Sequence, residues 1–273
     1  MGLGPRGKQM TGRPLRVMFV GTCRMHDPAH VLHKDERFTV RTTPHRFHTA
    51  AQTLQFVRHM KRVEEYRSEA AHLISDYASK RIYEDGATRK DLLYELHQLR
   101  PFWQSCDAFV VELSAIRENY ASVDGSEITV NNFSARDQRK YADRISSDAE
   151  AGLSLPLLDM RIEPVSPSTT HKRMAEIRRF LARPIIWVSH QRPPSRELKY
   201  DVVNKVRSHL ADTLRHGAEA LGDMFFDPSI VAKEMGQPAF FQKNGEDLDH
   251  LTPAAAMVLA HRYGRMVHSV VRA

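Results

Sequence analysis

Two short stretches near opposite ends of the chain carry residue types that do acyl chemistry. The first is Gly21-Thr22-Cys23, which closes the apolar run LRVMFVG. A glycine permits a sharp turn at the end of a strand, and a thiol just beyond it is displayed at the sheet edge. The second is Asp247-Leu248-Asp249-His250. A carboxylate three residues ahead of an imidazole on a turn reaches its ring nitrogen. It fixes the tautomer and leaves the other nitrogen free as a base. A thiolate beside such an imidazole is competent for acyl transfer. Both stretches also have plainer readings: Cys23 as a small buried core residue, and the acidic tetrapeptide as a solvated turn. Asp249 competes with Asp247 as the orienting acid, at a less favourable spacing.

These residues need elements to hold them. Cys23 follows an apolar, β-branched run at residues 15–20, and similar runs fall at 107–113, 183–189 and 223–227. All are continuous rather than alternating, as in parallel strands covered on both faces. Helical faces lie between them. They are marked by Ala51, Leu54, Val57 and Met60; by Leu92, Leu96 and Leu99; by Met174, Ile177 and Leu181; by Val203, Val206 and Leu210; and by Ala256, Leu259, Tyr263 and Met266. Alternating strands and helices predict a three-layer α/β/α sandwich with a mainly parallel, flavodoxin-like sheet. Asp27 and Pro28 read as N-cap and first residue of the helix after Cys23, and Thr252 and Pro253 as the same pair for the last helix.

Residues 1–14 read as a disordered basic tail, and 15–273 as one domain with a polar, poorly periodic insertion or lid at about 114–170. That insertion is expected to hold one helix near SARDQRKYADRI. Two independent domains would separate the thiol from the imidazole. No repeat or low-complexity block is visible.

Composition narrows the classes. With 41% hydrophobic and 27% charged residues in 273, the chain is an ordinary globular one, long enough to bury a core. The formal charge is +7, but Arg6, Lys8, Arg13 and Arg16 supply 4 of it before residue 17, leaving +3 for the rest. That distribution weakens a nucleic-acid reading. The longest apolar runs fall short of the roughly 20 residues of a bilayer span, and the first residues lack the apolar core of a secretory signal. Only Cys23 and Cys106 are present, so no disulfide framework or zinc knuckle is expected, and a reducing cytoplasm is the default location.

Set in this order, the motifs resemble the SGNH (GDSL) hydrolase superfamily. VGTCRMHDP, with cysteine where most members carry serine, is closer to its GSCFA family. FFDPSIVAKEMGQPAFFQKNGEDLDHLTPAAAMVLA is similar to that family's closing segment, IIWVSHQRPP to its penultimate strand and HTAAQTLQF to the helix after its first block. The resemblance implies Cys23 as nucleophile, His250 as base and Asp247 as its partner. It implies an esterase or O-acyltransferase acting on acyl esters of glycans or polysaccharide precursors. The backbone N–H of Cys23, in the turn after Gly21, would be one oxyanion donor. The superfamily's Gly-x-Asn-Asp is absent after DAFVVEL, where Glu112-Leu113-Ser114 stands with Asn119 beyond. Ser114 or Asn119 is then the candidate second donor. That departure favours an alternative, a degenerate module that binds a glycan or partner without turnover. A second alternative is a CoA-dependent acyltransferase of polysaccharide biosynthesis; otherwise no cofactor is expected.

Other groups carry less. Arg24, His45, Arg46 and His48 form a basic group at the presumed cleft edge, suited to an anionic substrate or a solvated surface. His26, His30 and His33 share a helical face but lack the further ligands of a metal site, and no metal is expected. Trp187 reads as core and Trp103 as a candidate pocket residue. The sequence leaves the oligomeric state open.

Overall fold

The computed structural model describes residues 13–43, 46–61, 85–87, 89–115, 117–123, 126–130, 160–194 and 197–273. The chain enters through β1 (Leu15–Val20), a single 3-10 turn at Cys23–Met25, and α1 (His26–His33), then β2 (Phe38–Thr42). Next come α2 (Ala50–Met60), α3 (Arg89–Gln104) and β3 (Ala108–Leu113). A small antiparallel unit follows, made of β4 (Arg117–Val123), β5 (Ser126–Val130) and β6 (Met160–Pro164). The second half runs α4 (Pro167–Leu181), β7 (Ile185–Ser189), α5 (Asp201–Leu221), β8 (Met224–Phe226), α6 (Ser229–Met235) and α7 (Gln237–Phe240). It closes with β9 (Phe241–Gln242), β10 (Asp247–Leu251) and α8 (Pro253–Arg272).

The main sheet is parallel throughout, in the order β2-β1-β3-β7-β8. The expected α/β/α sandwich is therefore present. Successive strand residues point to opposite faces, and both faces are apolar. Met18 and Val20 of β1 pack with α2, α3, α4 and α5, while Val17 and Phe19 pack with α1, α6 and α8. Trp187 and Trp103 both lie in the first of these cores, so Trp103 is a packing residue rather than a pocket wall. Its ring meets Phe109 edge-on at 4.7 Å. Cys106 is likewise buried, and burial pushes its thiol up to about 12.

Several sequence expectations are corrected. β2 escaped notice: FTVRT is an edge strand whose burial alternates, and only Phe38 and Val40 go inward. The helix after Cys23 does not start at Asp27-Pro28. Thr22 takes the extended cap position and helical turns run on from Cys23, leaving Asp27 and Pro28 inside the first turn of α1. Helix α5 turns Leu210, Leu214 and Ala218 inward, but Val206 is 45% exposed. Its first turns stand past the end of β7, as Arg207 reaches the carbonyl of Gln191. Thr252 does cap α8, accepting from the Ala255 N–H at 3.1 Å, with Pro253 first.

Within residues 114–170, where the sequence offered only a polar, poorly periodic insertion, the described residues include the three-stranded β5-β4-β6 sheet and the start of α4. Its polar sequence hid it. The buried Glu118 carboxylate accepts from the Ala51 N–H at 3.3 Å and pairs with Arg173, and Gln55 bonds Thr129 on both sides. The unit is thus pinned to α2 and α4. The helix expected near SARDQRKYADRI lies outside the described residues, as does the tail to residue 12. Arg13, counted above with the tail, forms two bonds with Asp107 at 2.7 and 2.9 Å.

Phe109 is buried in the central strand, so Phe109→Ala should lower unfolding free energy by about 4 kcal/mol. Urea denaturation with an unchanged slope would report this.

Candidate active site

In a sheet of order 2-1-3, the chain leaves β1 toward one side and later returns on the other. A crevice opens at the carboxyl ends of the strands flanking that switch point. Gly21-Thr22-Cys23 sits at the end of β1, and Glu112 to Ala115 at the end of β3.

Glu112 organises this corner. Its carboxylate is 1% exposed. Oε2 accepts from the Thr22 N–H at 3.0 Å and from the Thr22 hydroxyl, and Oε1 accepts from Arg24 Nε at 3.3 Å. A buried carboxylate needs such partners. The approach is close: a Cβ on Gly21 would lie 2.7 Å from Glu112 Cβ. Glycine is therefore required by the neighbour on β3. Cys23 then begins the 3-10 turn with its side chain partly exposed.

The Asp247-to-His250 segment arrives through β10, which pairs antiparallel with β9, rather than on a free turn. A regular strand would send residues 247 and 250 to opposite faces. The register breaks between Asp247 and Leu251. Asp247 Oδ1 also accepts from the Asp249 N–H at 3.2 Å, curling the chain locally. His250 Nδ1 then meets Asp247 Oδ1 at 3.0 Å. That bond, chiefly, holds the Asp247 carboxyl below its ordinary range. His250 Nε2 has no hydrogen-bond partner among the described residues, on a ring that is 56% exposed. Asp249 does not compete for the imidazole; it pairs with Arg24 Nη1 at 3.2 Å.

Arg24 therefore reaches from Glu112 to Asp249, and links the Cys23 turn to β10. Its guanidinium bonds both of these acids. The Cys23 thiol has no hydrogen-bond partner among the described residues.

The candidate oxyanion residues are placed differently from one another. Ser114 Oγ lies 2.9 Å from His48 Nδ1, and the Ser114 and Ala115 N–H groups donate to the His48 carbonyl. Asn119 belongs to β4 in the second sheet, paired with Val130 and Ile162, and its side chain lies outside the described residues. Arg46 is exposed, and its charge adds to burial in lowering the His26 pKa. His45 lies outside the described residues. His26, His30 and His33 line a cavity of about 630 Å³ with Tyr94 and Glu95. His33 Nδ1 is occupied by the Val40 N–H at 3.2 Å, and no metal-binding group of side chains occurs among the described residues.

Three residues were missed by sequence reasoning: Glu112 as an organiser, His190 and Arg207. None has a local motif; each acts through partners far away in sequence. His190, at the end of β7, is 6% exposed, and its Nδ1 has no hydrogen-bond partner among the described residues. Burial first, then the charges of Arg24 and Arg207, push it well below its ordinary 6.5. Arg207 itself is brought down to about 10 by burial and by Arg24, against the pull of Asp249 and Glu112.

Two measurements test this arrangement. Glu112→Ala strands the Arg24 charge and should destabilise the fold by about 3–5 kcal/mol in chemical denaturation. His190 and His59, the latter pushed by burial to about 4, are neutral in the fold and take up protons when unfolded below pH 6.5. Stability is then complete above pH 6.5 and falls as pH drops. Each contributes up to about 1.4 kcal/mol per pH unit. His190→Gln should flatten that slope without abolishing it.

Residues 15–265 match the family model described as the TviD N-terminal domain. No curated protein matches the chain. Among solved structures, a catalytic mutant of an acetylxylan esterase from Geobacillus stearothermophilus is 10% identical, over 94% of this chain and 95% of its own, with a TM-score of 0.41. A GDSL-like lipase from Bacteroides thetaiotaomicron is 12% identical over 94% and 92%, with a TM-score of 0.41. The salicylyl-acyltransferase SsfX3 from a tetracycline biosynthetic pathway is 10% identical over 96% of this chain and 56% of its own, with a TM-score of 0.45. With a family model spanning nearly the whole described sandwich, from β1 into α8, the chain belongs to the TviD N-terminal domain family.

Proposed function

We propose that this protein is an SGNH-like esterase or O-acyltransferase in which Cys23 is the nucleophile, His250 the base and Asp247 its orienting acid. Kinship with the GSCFA family is part of the same proposal. The observation that carries it is the 3.0 Å Asp247–His250 bond, on a strand that Arg24 ties to the Cys23 turn. Asp247 on Nδ1 leaves Nε2 to take the thiol proton. The thiolate attacks the ester carbonyl and an oxyanion forms, toward which the Cys23 backbone N–H is a candidate donor. As the intermediate collapses, the imidazolium returns the proton to the leaving alkoxide, and an acyl-thioester remains. Water or an acceptor hydroxyl then gives its proton to His250, attacks the thioester, and releases the thiol. Glycan or polysaccharide-precursor esters are the proposed substrates, and the cytoplasm the proposed location. Catalytic hydrogen bonds commonly tighten only with substrate bound, so a partnerless thiol is compatible with this chemistry.

That same partnerless thiol, with the absent Gly-x-Asn-Asp, favours the second reading: a module that holds a glycan without turnover. A CoA-dependent acyltransferase is separated from both by thermal stabilisation on adding CoA.

Turnover of a chromogenic acetate ester decides among them. Cys23→Ala should lower kcat by at least about 10³-fold, and His250→Ala by a similar factor. Equal activity in Cys23→Ala would remove the nucleophile assignment. An inactive wild type that still binds acylated oligosaccharide would select the second reading.

A further inference from the structure

The two acids of Asp247-Leu248-Asp249-His250 do different jobs, and the second job is not explained by acyl chemistry. Asp249 is 69% exposed, yet its Oδ1 lies 3.2 Å from Nη1 of an arginine that is only 6% exposed. That arginine, Arg24, is anchored at its other edge on Glu112, which is 1% exposed. Glu112 in turn holds both the N–H and the hydroxyl of Thr22. A planar guanidinium offers several donors in a rigid fork, so it transmits position from one acid to the other better than an ammonium would. The neighbours in sequence matter: Arg24 follows Cys23, and Asp249 precedes His250. The two ends of this strut are 225 residues apart. β9 and β10 form a separate two-stranded ribbon, so no hydrogen bond of the main sheet ties β10 to the Cys23 turn; α8, which shares a core with α1, fixes the C-terminal end of β10.

We propose that Arg24 is a positioning residue: through Asp249 it holds β10, and with it His250, against the turn that carries Cys23. This rests on the catalytic reading above for its consequence, but not for its geometry. Loss of the strut should loosen β10 and misplace the imidazole. A displacement on the scale of an ångström costs up to about 10²-fold in rate. A residue that acts only through position leaves substrate contacts in place, so the effect belongs in kcat and not in KM.

The test uses the full chain and Asp249→Asn, which removes an exposed charge and spares the buried pair. Amide hydrogen exchange of residues 247–251 should quicken, while that of β3 stays as in the wild type. Turnover of the chromogenic acetate ester should show kcat lowered about 10- to 100-fold, with KM held within about twofold. Arg24→Lys should lose kcat too, since one ammonium does not span both acids. The double variant Arg24→Lys/Asp249→Asn should be no worse than the poorer single one. Unchanged exchange in Asp249→Asn overturns the proposal, as does faster exchange with kcat unchanged. Turnover that survives Cys23→Ala overturns the nucleophile assignment instead, and the exchange measurement still decides whether Arg24 holds β10.

Discussion

A single buried carboxylate sets the geometry at the carboxyl edge of the sheet. Glu112 stands at the end of the central strand β3, away from water, and must be neutralised there. It recruits the Thr22 N–H, the Thr22 hydroxyl and the Arg24 guanidinium, all from the turn after β1. Those bonds decide the path of the chain at Cys23. They also explain Gly21, since the approach that makes the bonds possible leaves no room for a Cβ against Glu112. Partner, turn and glycine are one constraint seen from three residues.

The sheet supplies the place and the chain ends supply the parts. The order β2-β1-β3-β7-β8 puts the topological switch beside β1 and β3, where a crevice forms whatever the chemistry. The last helix, α8, packs on the face that also carries α1, with Tyr263 edge-on to Phe19 of β1 at 5.5 Å. That packing returns the C-terminal part of the chain to the N-terminal strand. The Thr252 cap fixes where α8 starts, so β10 has to lie just ahead of it, near Cys23. Burial of a large apolar face thus brings residues 23 and 250 to the same end of the molecule, and the polar contacts refine the result.

Continuous apolar strands were legible because burial on both faces leaves no alternation to confuse the pattern; β1, β3 and β7 all read this way. β2 was not, since an edge strand buries only alternate residues. The β5-β4-β6 unit was missed for a related reason: its buried groups are Glu118, Thr129 and their partners, which look solvated in a sequence. Among the candidate site residues, the Asp247–His250 pairing was legible because that bond spans three positions. Glu112, His190 and Arg207 were not, because what makes them important is the company of residues some 90 positions away or more, or burial itself.

Charge shows the same limit most sharply. The excess of +7 looked like a property of the first residues. The structure sets two further cations at the carboxyl edge of the sheet, Arg24 and Arg207; Arg24 disfavours the charge on Arg207, and both disfavour a charged His190. Glu112 and Asp249 offset them. Burial, reinforced by these two positive charges, keeps the His190 imidazole neutral, and Arg24 bonds the acids on either side of it. His250 lies outside that crowd, exposed and bonded to its own carboxylate. The same edge of the sheet thus holds two histidines in opposite settings, one buried and kept neutral, the other exposed and paired with an acid.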